Sequence, residues 1–365
     1  MPSHLRSLLL TLFLLSSGVG HADAANRDRS PSAAVARQIE APASIAPRWQ
    51  HALPASGSLS SVAGWHGGNG RFIVYASDTA GGRLRVLDGL SGEPAGEPAD
   101  LQMAAPTALF VIDDLLLVVE QDARRVLALG LPGLNPLGSI GDGGLIRPVS
   151  LFARHTDVDR YLLYVGDDYD NEGRLPPDRD LNRRVKTYQV SLDRDAADAS
   201  PDRVSAERIG QLGETAGEGV LHRVGALVGD PFYDHLLITE RDRTNDSGLR
   251  VYGFAGKYRN ARLDRGLFGQ QASGLALRAC GNGRGHWFAT DATENSPILL
   301  MDRASLRPSG AFDTGSDGAT DSLWFQPTAA AAFPDGVLLI RQGGQLAAID
   351  WRDVARELRL DAACR

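Results

Sequence analysis

The sequence predicts an all-β chain folded as a six-bladed β-propeller. Three observations carry this. One hairpin pattern recurs six times, the folded part spans about 320 residues, and no stretch of it keeps a helical period over three turns. That length is large for an ordinary single domain but normal for a fold that adds units around an axis.

The pattern is an apolar β-branched run, an acidic or Gln residue, a polar turn and a second apolar run. It appears as Phe72–Tyr75 with Asp78, then Leu84–Leu87, and again as Leu115–Val119 with Glu120 and Asp122, then Val126–Leu129. The third copy is Tyr161–Val165 with Asp167, Asp168 and Asp170, a long insertion, then Val185–Val190; the fourth is Leu236–Ile238 with Glu240 and Asp242, then Leu249–Tyr252. Trp287–Ala289 with Asp291 and Ile298–Met301 form the fifth, and Val337–Ile340 with Gln342 and Leu346–Ile349 the sixth. Runs this short, bounded by Gly, Asp and Asn, read as strands joined by tight turns. Further short strands before and after each hairpin give three or four strands per unit. Trp65, Trp287, Trp324 and Trp351 are expected to fill gaps between blades.

In a ring of units running the same way, equivalent turns emerge on one face. The acidic residues at the six hairpins are therefore expected on one rim, near strand starts such as Asp321. Converging carboxylates suit a hard cation such as Ca²⁺, although Asp and Asn also favour turns for local backbone reasons. Both readings stay open at this point. Asp167, Asp168 and Asp170, with Asn171 and Glu172, resemble a Ca²⁺ loop but lack its glycine and terminal glutamate, and read better as the mouth of a surface insertion. His66, His155, His222, His235 and His286 are isolated from one another, with no HExxH or similar spacing.

The chain start reads as an export signal over 1–24. His4 and Arg6 give a basic start, Leu8–Leu15 an apolar run too short to span a bilayer, and Ala22-Asp23-Ala24 a small-residue cleavage site. A flexible segment over 25–46 and a propeller domain over 47–365 are expected to follow, in a periplasmic or secreted, monomeric protein with no transmembrane segment in its mature chain. Export places Cys280 and Cys364, the only cysteines, in an oxidising compartment that favours one disulfide. The net charge of −7 with no basic cluster argues against nucleic acid as a partner.

The C-terminal half is similar to the β-propeller phytases, calcium-dependent phosphatases acting on inositol hexakisphosphate. The likeness runs through Leu237-Ile238-Thr239-Glu240-Arg241-Asp242, Ser273-Gly274-Leu275 and Cys280-Gly281-Asn282-Gly283-Arg284-Gly285-His286-Trp287-Phe288-Ala289-Thr290-Asp291. It continues through Met301-Asp302-Arg303, Thr320-Asp321, Phe333-Pro334-Asp335-Gly336 and Ala348-Ile349-Asp350-Trp351. The resemblance implies a metal-activated water, with Glu240 and Asp321 as catalytic positions, Glu240, Asp242, Asp291 and Asp321 as Ca²⁺ ligands, and Arg241 and Asp242 facing a phosphorylated or polyanionic small molecule. The chain departs from the family where Ser60, Ser61 and Ser273 replace carboxylates, and a family lysine has no counterpart near Asp78–Gly82. Two functional expectations follow: a Ca²⁺-dependent phosphomonoester hydrolase of the 3-phytase type, or a propeller that keeps the scaffold and binds a ligand or partner on its top face without turnover. A lactonase-like propeller with one axial metal is a third.

Overall fold

The computed structural model describes residues 39, 41–52, 59–96, 101–141, 143–168, 174–196, 203–245, 247–263, 267–328 and 330–361. The expected signal segment, Cys364, and Asp170, Asn171 and Glu172 lie outside the described residues.

Two short strands come first, β1 (Ala43–Ser44) and β2 (Trp49–Ala52). Blade one holds β3 (Leu59–His66), β4 (Phe72–Asp78) and β5 (Arg83–Asp88); blade two holds β6 (Pro106–Ile112), β7 (Leu115–Glu120), β8 (Arg125–Gly130) and β9 (Asn135–Ile140). Blade three holds β10 (Pro148–Asp157), β11 (Arg160–Asp167), β12 (Val185–Leu192) and β13 (Val204–Leu212); blade four holds β14 (Val224–Asp230), β15 (His235–Glu240), β16 (Gly248–Tyr252) and β17 (Tyr258–Leu263). Blade five holds β18 (Ala272–Ala279), β19 (Gly285–Asp291), β20 (Ile298–Asp302) and β21 (Pro308–Asp313). Blade six holds β22 (Thr320–Gln326), β23 (Val337–Gln342) and β24 (Gln345–Asp350), followed by helix α1 (Trp351–Glu357).

The consecutive strands of each blade form an antiparallel meander, and the first strand of each touches that of the next in the closed order β3, β6, β10, β14, β18, β22 and back to β3. This is the six-bladed propeller expected from the repeat. The ring is closed by the N-terminal strand: β2 pairs antiparallel with β24, from Trp49 opposite Ala348 to Ala52 opposite Gln345, as the outer strand of blade six. Hydrogen bonds between chain regions far apart in sequence thus fasten the first blade to the last. β1 adds to blade five in parallel with β21, and Ile45 is buried beside it. Among the described residues, strand pairing thus starts at Ala43.

The apolar core lies in six wedges, one between each pair of neighbouring blades, rather than at the centre. A blade in the ring is covered on both faces, so its middle strands need apolar side chains on both sides of the sheet. The uninterrupted burial of Phe72–Asp78, Leu115–Glu120 and Leu236–Glu240 follows from that geometry. Trp287 and Trp351 fill the wedges, whereas Trp324 remains half-buried on the inner strand of blade six. The space on the axis is left to the six inner strands.

Candidate functional site

Each inner strand carries an irregularity in its pairing near its start. Ser60, Thr107, Val149, Gly225, Ser273 and Asp321 occupy it, and all six line a central cavity of about 760 Å³. A bulge breaks the in-out alternation of a strand and re-aims a side chain; repeated six times, it builds a ring of six positions at the channel mouth. Immediately after it, Ser61 Oγ accepts a bond of 3.1 Å from Leu109 N of blade two, and Ser322 Oγ one of 3.1 Å from Val62 N of blade one. Ser61 is thus a stitch between blades. Ser60 Oγ bonds the hydroxyl of Thr79, and Ser273 Oγ lies 2.9 Å from Thr290 Oγ1 and donates to Thr320 O at 3.1 Å.

The six hairpin residues do share one rim position, each closing a second strand opposite the start of the inner strand: Asp78, Glu120, Asp167, Glu240, Asp291 and Gln342. All are buried. Their side chains are engaged by the chain itself. Glu120 accepts from Ala104 N (2.9 Å), Asp167 from Ile146 N and Arg147 N (3.1 and 2.6 Å), and Asp291 from Gln270 N and Gln271 N (2.9 and 3.2 Å). Glu240 accepts from His222 N, from Arg223 N at 2.9 Å and from Asp242 N at 2.8 Å. Gln342 donates to Ser316 O (2.9 Å) and Gly318 O (3.2 Å) and accepts from Thr314 Oγ1. In these five blades the residue latches the second strand to the loop that enters the inner strand. Asp78 accepts from Gly81 N at 2.9 Å and pairs with Arg85 at 3.2 Å.

The charged residues lining the cavity are Arg147, Arg241, Arg341 and Asp321. Arg341 stands where the other second strands carry Ser77, Val119, Gly166, Thr239 and Thr290, one place before the latch. Its Nη1 pairs with Asp321, and its Nε is buried without a hydrogen-bond partner among the described residues. Burial pushes the Arg341 guanidinium below its usual value. Arg241 lies across the inner strand of blade four, its Nε donating to Val224 O at 3.1 Å. Gly225 makes room for it: a Cβ there would meet Thr239 Oγ1 at 2.1 Å and Arg241 Cδ at 2.8 Å.

Behind Arg241, one buried carboxylate, Asp168, is shared by three guanidiniums: Arg184 at 3.0 Å, Arg241 at 3.5 Å and Arg223 at 3.6 Å. Burial raises the Asp168 carboxyl, while Arg241, Arg184, Arg223 and Arg147 pull it the other way. Asp167, next to it, is met by Lys186 at 3.4 Å. Among the described residues around Asp168, positive charge therefore outweighs negative.

Of the residues expected to form a Ca²⁺ centre, only Asp321 reaches the cavity wall, together with Arg241 from the expected ligand contacts. Glu240 and Asp291 are turned into their own loops as latches, and Asp242 Oδ1 accepts from Thr244 N (2.9 Å) and Oγ1 (2.7 Å). Glu240 and Asp291 direct their oxygens to backbone and hydroxyl donors, and Asp321 is held by Arg341. Among the described residues no three His, Cys, Asp or Glu side chains converge as a metal site. Asp167 and Asp168 are likewise engaged. Arg341 could have been found from the repeat, as the one charge at a position that is otherwise small.

Fold and cavity together define a six-bladed propeller with a polar-mouthed central channel. No family model matches the chain, and no curated protein matches it. Among solved structures it is similar to a chain in the crystal structure of a nidogen/laminin complex, at 15% identity and a TM-score of 0.43, covering 70% of this chain and 80% of that one.

Proposed function

We propose that the protein is a non-catalytic binding propeller that takes an anionic small molecule into the mouth of its central channel. The observation that carries this is the wall chemistry: three arginines against one aspartate, with a further guanidinium cluster behind Arg241. Guanidinium groups recognise carboxylates and phosphates through paired, charge-assisted hydrogen bonds. The binding reading is preferred to hydrolysis of the phytase type because Glu240 and Asp291 are engaged by backbone and hydroxyl donors of their own loops rather than turned to the channel. Export to the periplasm or beyond is part of the proposal, resting on the apolar run Leu8–Leu15 and the small-residue site after it. So is a Cys280–Cys364 disulfide, which would anchor the C-terminus near the buried Cys280.

Calorimetric titration of the exported chain with phenyl phosphate is expected to give saturable binding. A charge-assisted bond contributes about 1.5–3 kcal/mol, so Arg341→Gln should weaken that binding roughly tenfold or more. Phosphate release from inositol hexakisphosphate at millimolar Ca²⁺, abolished by chelator, would overturn the non-catalytic reading; failure to bind any anion would overturn the reading as a whole.

Gly225→Val provides an independent check. The added side chain would displace the Arg241 stem from the inner strand, and we expect a fall of roughly tenfold in phenyl phosphate affinity with the fold retained. Unchanged affinity would remove Arg241 from the site.

A further inference from the structure

Below the ring of bulge positions, the inner strands present a second ring of a different character. Ala63, Phe110, Phe152, Val228, Ala276 and Trp324 all stand opposite the residue three places before the latch. Three residues of strand separate Asp321 from Trp324, a depth of about 10 Å at the usual rise.

The ring is lopsided. Phe110 meets Phe152 edge-on at 5.4 Å and Trp324 edge-on at 5.4 Å, forming an aromatic arc over blades six, two and three. The small side chain of Ala63 on blade one lets Trp324 reach Phe110 across it. The arc is backed by Phe254, stacked on Phe152 at 5.9 Å and itself covered by the Arg154 guanidinium at 4.9 Å. Opposite stand Val228 and Ala276, with Ala226 and Leu277 beside them. Phe110, Val228, Leu277 and Trp324 all keep partial exposure on inner strands, and that exposure is to the channel.

A polyphosphate has charge on every side and would bring desolvated anions against this wall, which is strongly unfavourable. A free phosphate or acetate ion would leave the wall wet. Pockets of this size generally hold drug-sized ligands by an apolar body and a few placed polar contacts. We therefore propose that the ligand is an amphiphilic carboxylate, its head held by Arg341 and Arg241 at the mouth and its hydrocarbon body lying between the aromatic arc and the Val228–Ala276 wall. This rests on the channel being an anion-binding site and adds the class of molecule.

The test is calorimetric titration of the exported chain with dodecanoate, acetate, dodecanol and inositol hexakisphosphate. Dodecanoate is expected to bind roughly a hundredfold tighter than acetate, because only its tail reaches the apolar wall. Arg341→Gln should weaken dodecanoate roughly tenfold while leaving dodecanol within about threefold, because only the acid uses the charge. A dodecanoate carrying a nitroxide on its tail should quench tryptophan fluorescence, and Trp324→Phe, which keeps an aromatic ring, should remove most of that quenching. Inositol hexakisphosphate binding as tightly as dodecanoate, with the Arg341 dependence intact, would overturn the amphiphile and leave the anion site standing. Dodecanol equalling dodecanoate would overturn the role of the head. No binding by any anion would overturn both proposals.

Discussion

Replacing Asp230 by alanine is expected to cost the propeller about 3–5 kcal/mol, the usual penalty for stranding one half of a buried ion pair. Asp230 ends β14 in blade four, is fully buried, and receives Arg303 of blade five through Nε at 2.7 Å and Nη2 at 2.6 Å. Arg303 uses its third nitrogen as well: Nη1 donates to Cys280 O at 2.6 Å and to Arg284 O at 3.1 Å. Its guanidinium lies 5.2 and 5.6 Å from the ring centres of Phe232 and Tyr233. Three turns of two blades, counting the one that carries Arg303, thus meet at one cation, which a planar guanidinium can bridge and a lysine cannot.

With the carboxylate gone, that cation stays buried with only carbonyls and rings for company. Total stabilities are commonly about 5–15 kcal/mol, so the loss should appear as a large fall in the urea midpoint. The pair need not be net stabilising for this to hold, since desolvation offsets much of its attraction. Changing both partners together, Asp230→Leu with Arg303→Met, is therefore expected to recover most of the loss. A single substitution costing under about 1 kcal/mol would show that the guanidinium finds water when its partner is removed.

The number of blades was legible in the sequence because a repeat leaves the same imprint six times: Phe72–Tyr75, Leu115–Val119 and their successors differ in detail but not in period. The rim was legible too, since a repeat in a ring must place Asp78, Glu120, Asp167, Glu240, Asp291 and Gln342 alike. What they do there was not. A carboxylate at a strand end looks the same whether its lone pairs meet a cation or the N–H groups of a loop brought in from the preceding blade. Gln342, an amide in the same position, hinted at the second answer, for an amide is a poor substitute for a calcium-binding carboxylate but a good latch. The role of Trp324 was hidden for a related reason. Whether an inner-strand tryptophan fills a wedge or faces the axis depends on where a bulge resets the alternation, and Asp321 gives no sequence signal of being one.

Glu240→Gln separates the two answers, and is expected to destabilise the fold by about 3 kcal/mol while leaving phenyl phosphate affinity unchanged in the protein that folds. The carboxylate meets three backbone donors, His222 N, Arg223 N and Asp242 N. An amide would aim its own N–H groups at one of them, trading a charge-assisted bond for donor facing donor. Blade six is the natural control: there the loop offers the carbonyls of Ser316 and Gly318, and Gln342 supplies the matching donors. Asp291 adds a dependence on pH. Burial acts to raise its carboxyl, but bonds from Gln270 N, Thr293 Oγ1, Thr293 N and Gln271 N outweigh that and hold it below its ordinary value. A carboxyl depressed on folding contributes stability that is present above its unfolded value, about 3.9, and is lost as pH falls through the folded one. Wild-type urea midpoints should therefore drop below about pH 4, and Asp291→Asn, less stable at neutral pH, should lose less over the same interval. Loss of ligand affinity in folded Glu240→Gln protein, with stability intact, would return that residue to the binding site and the latch would have to be given up.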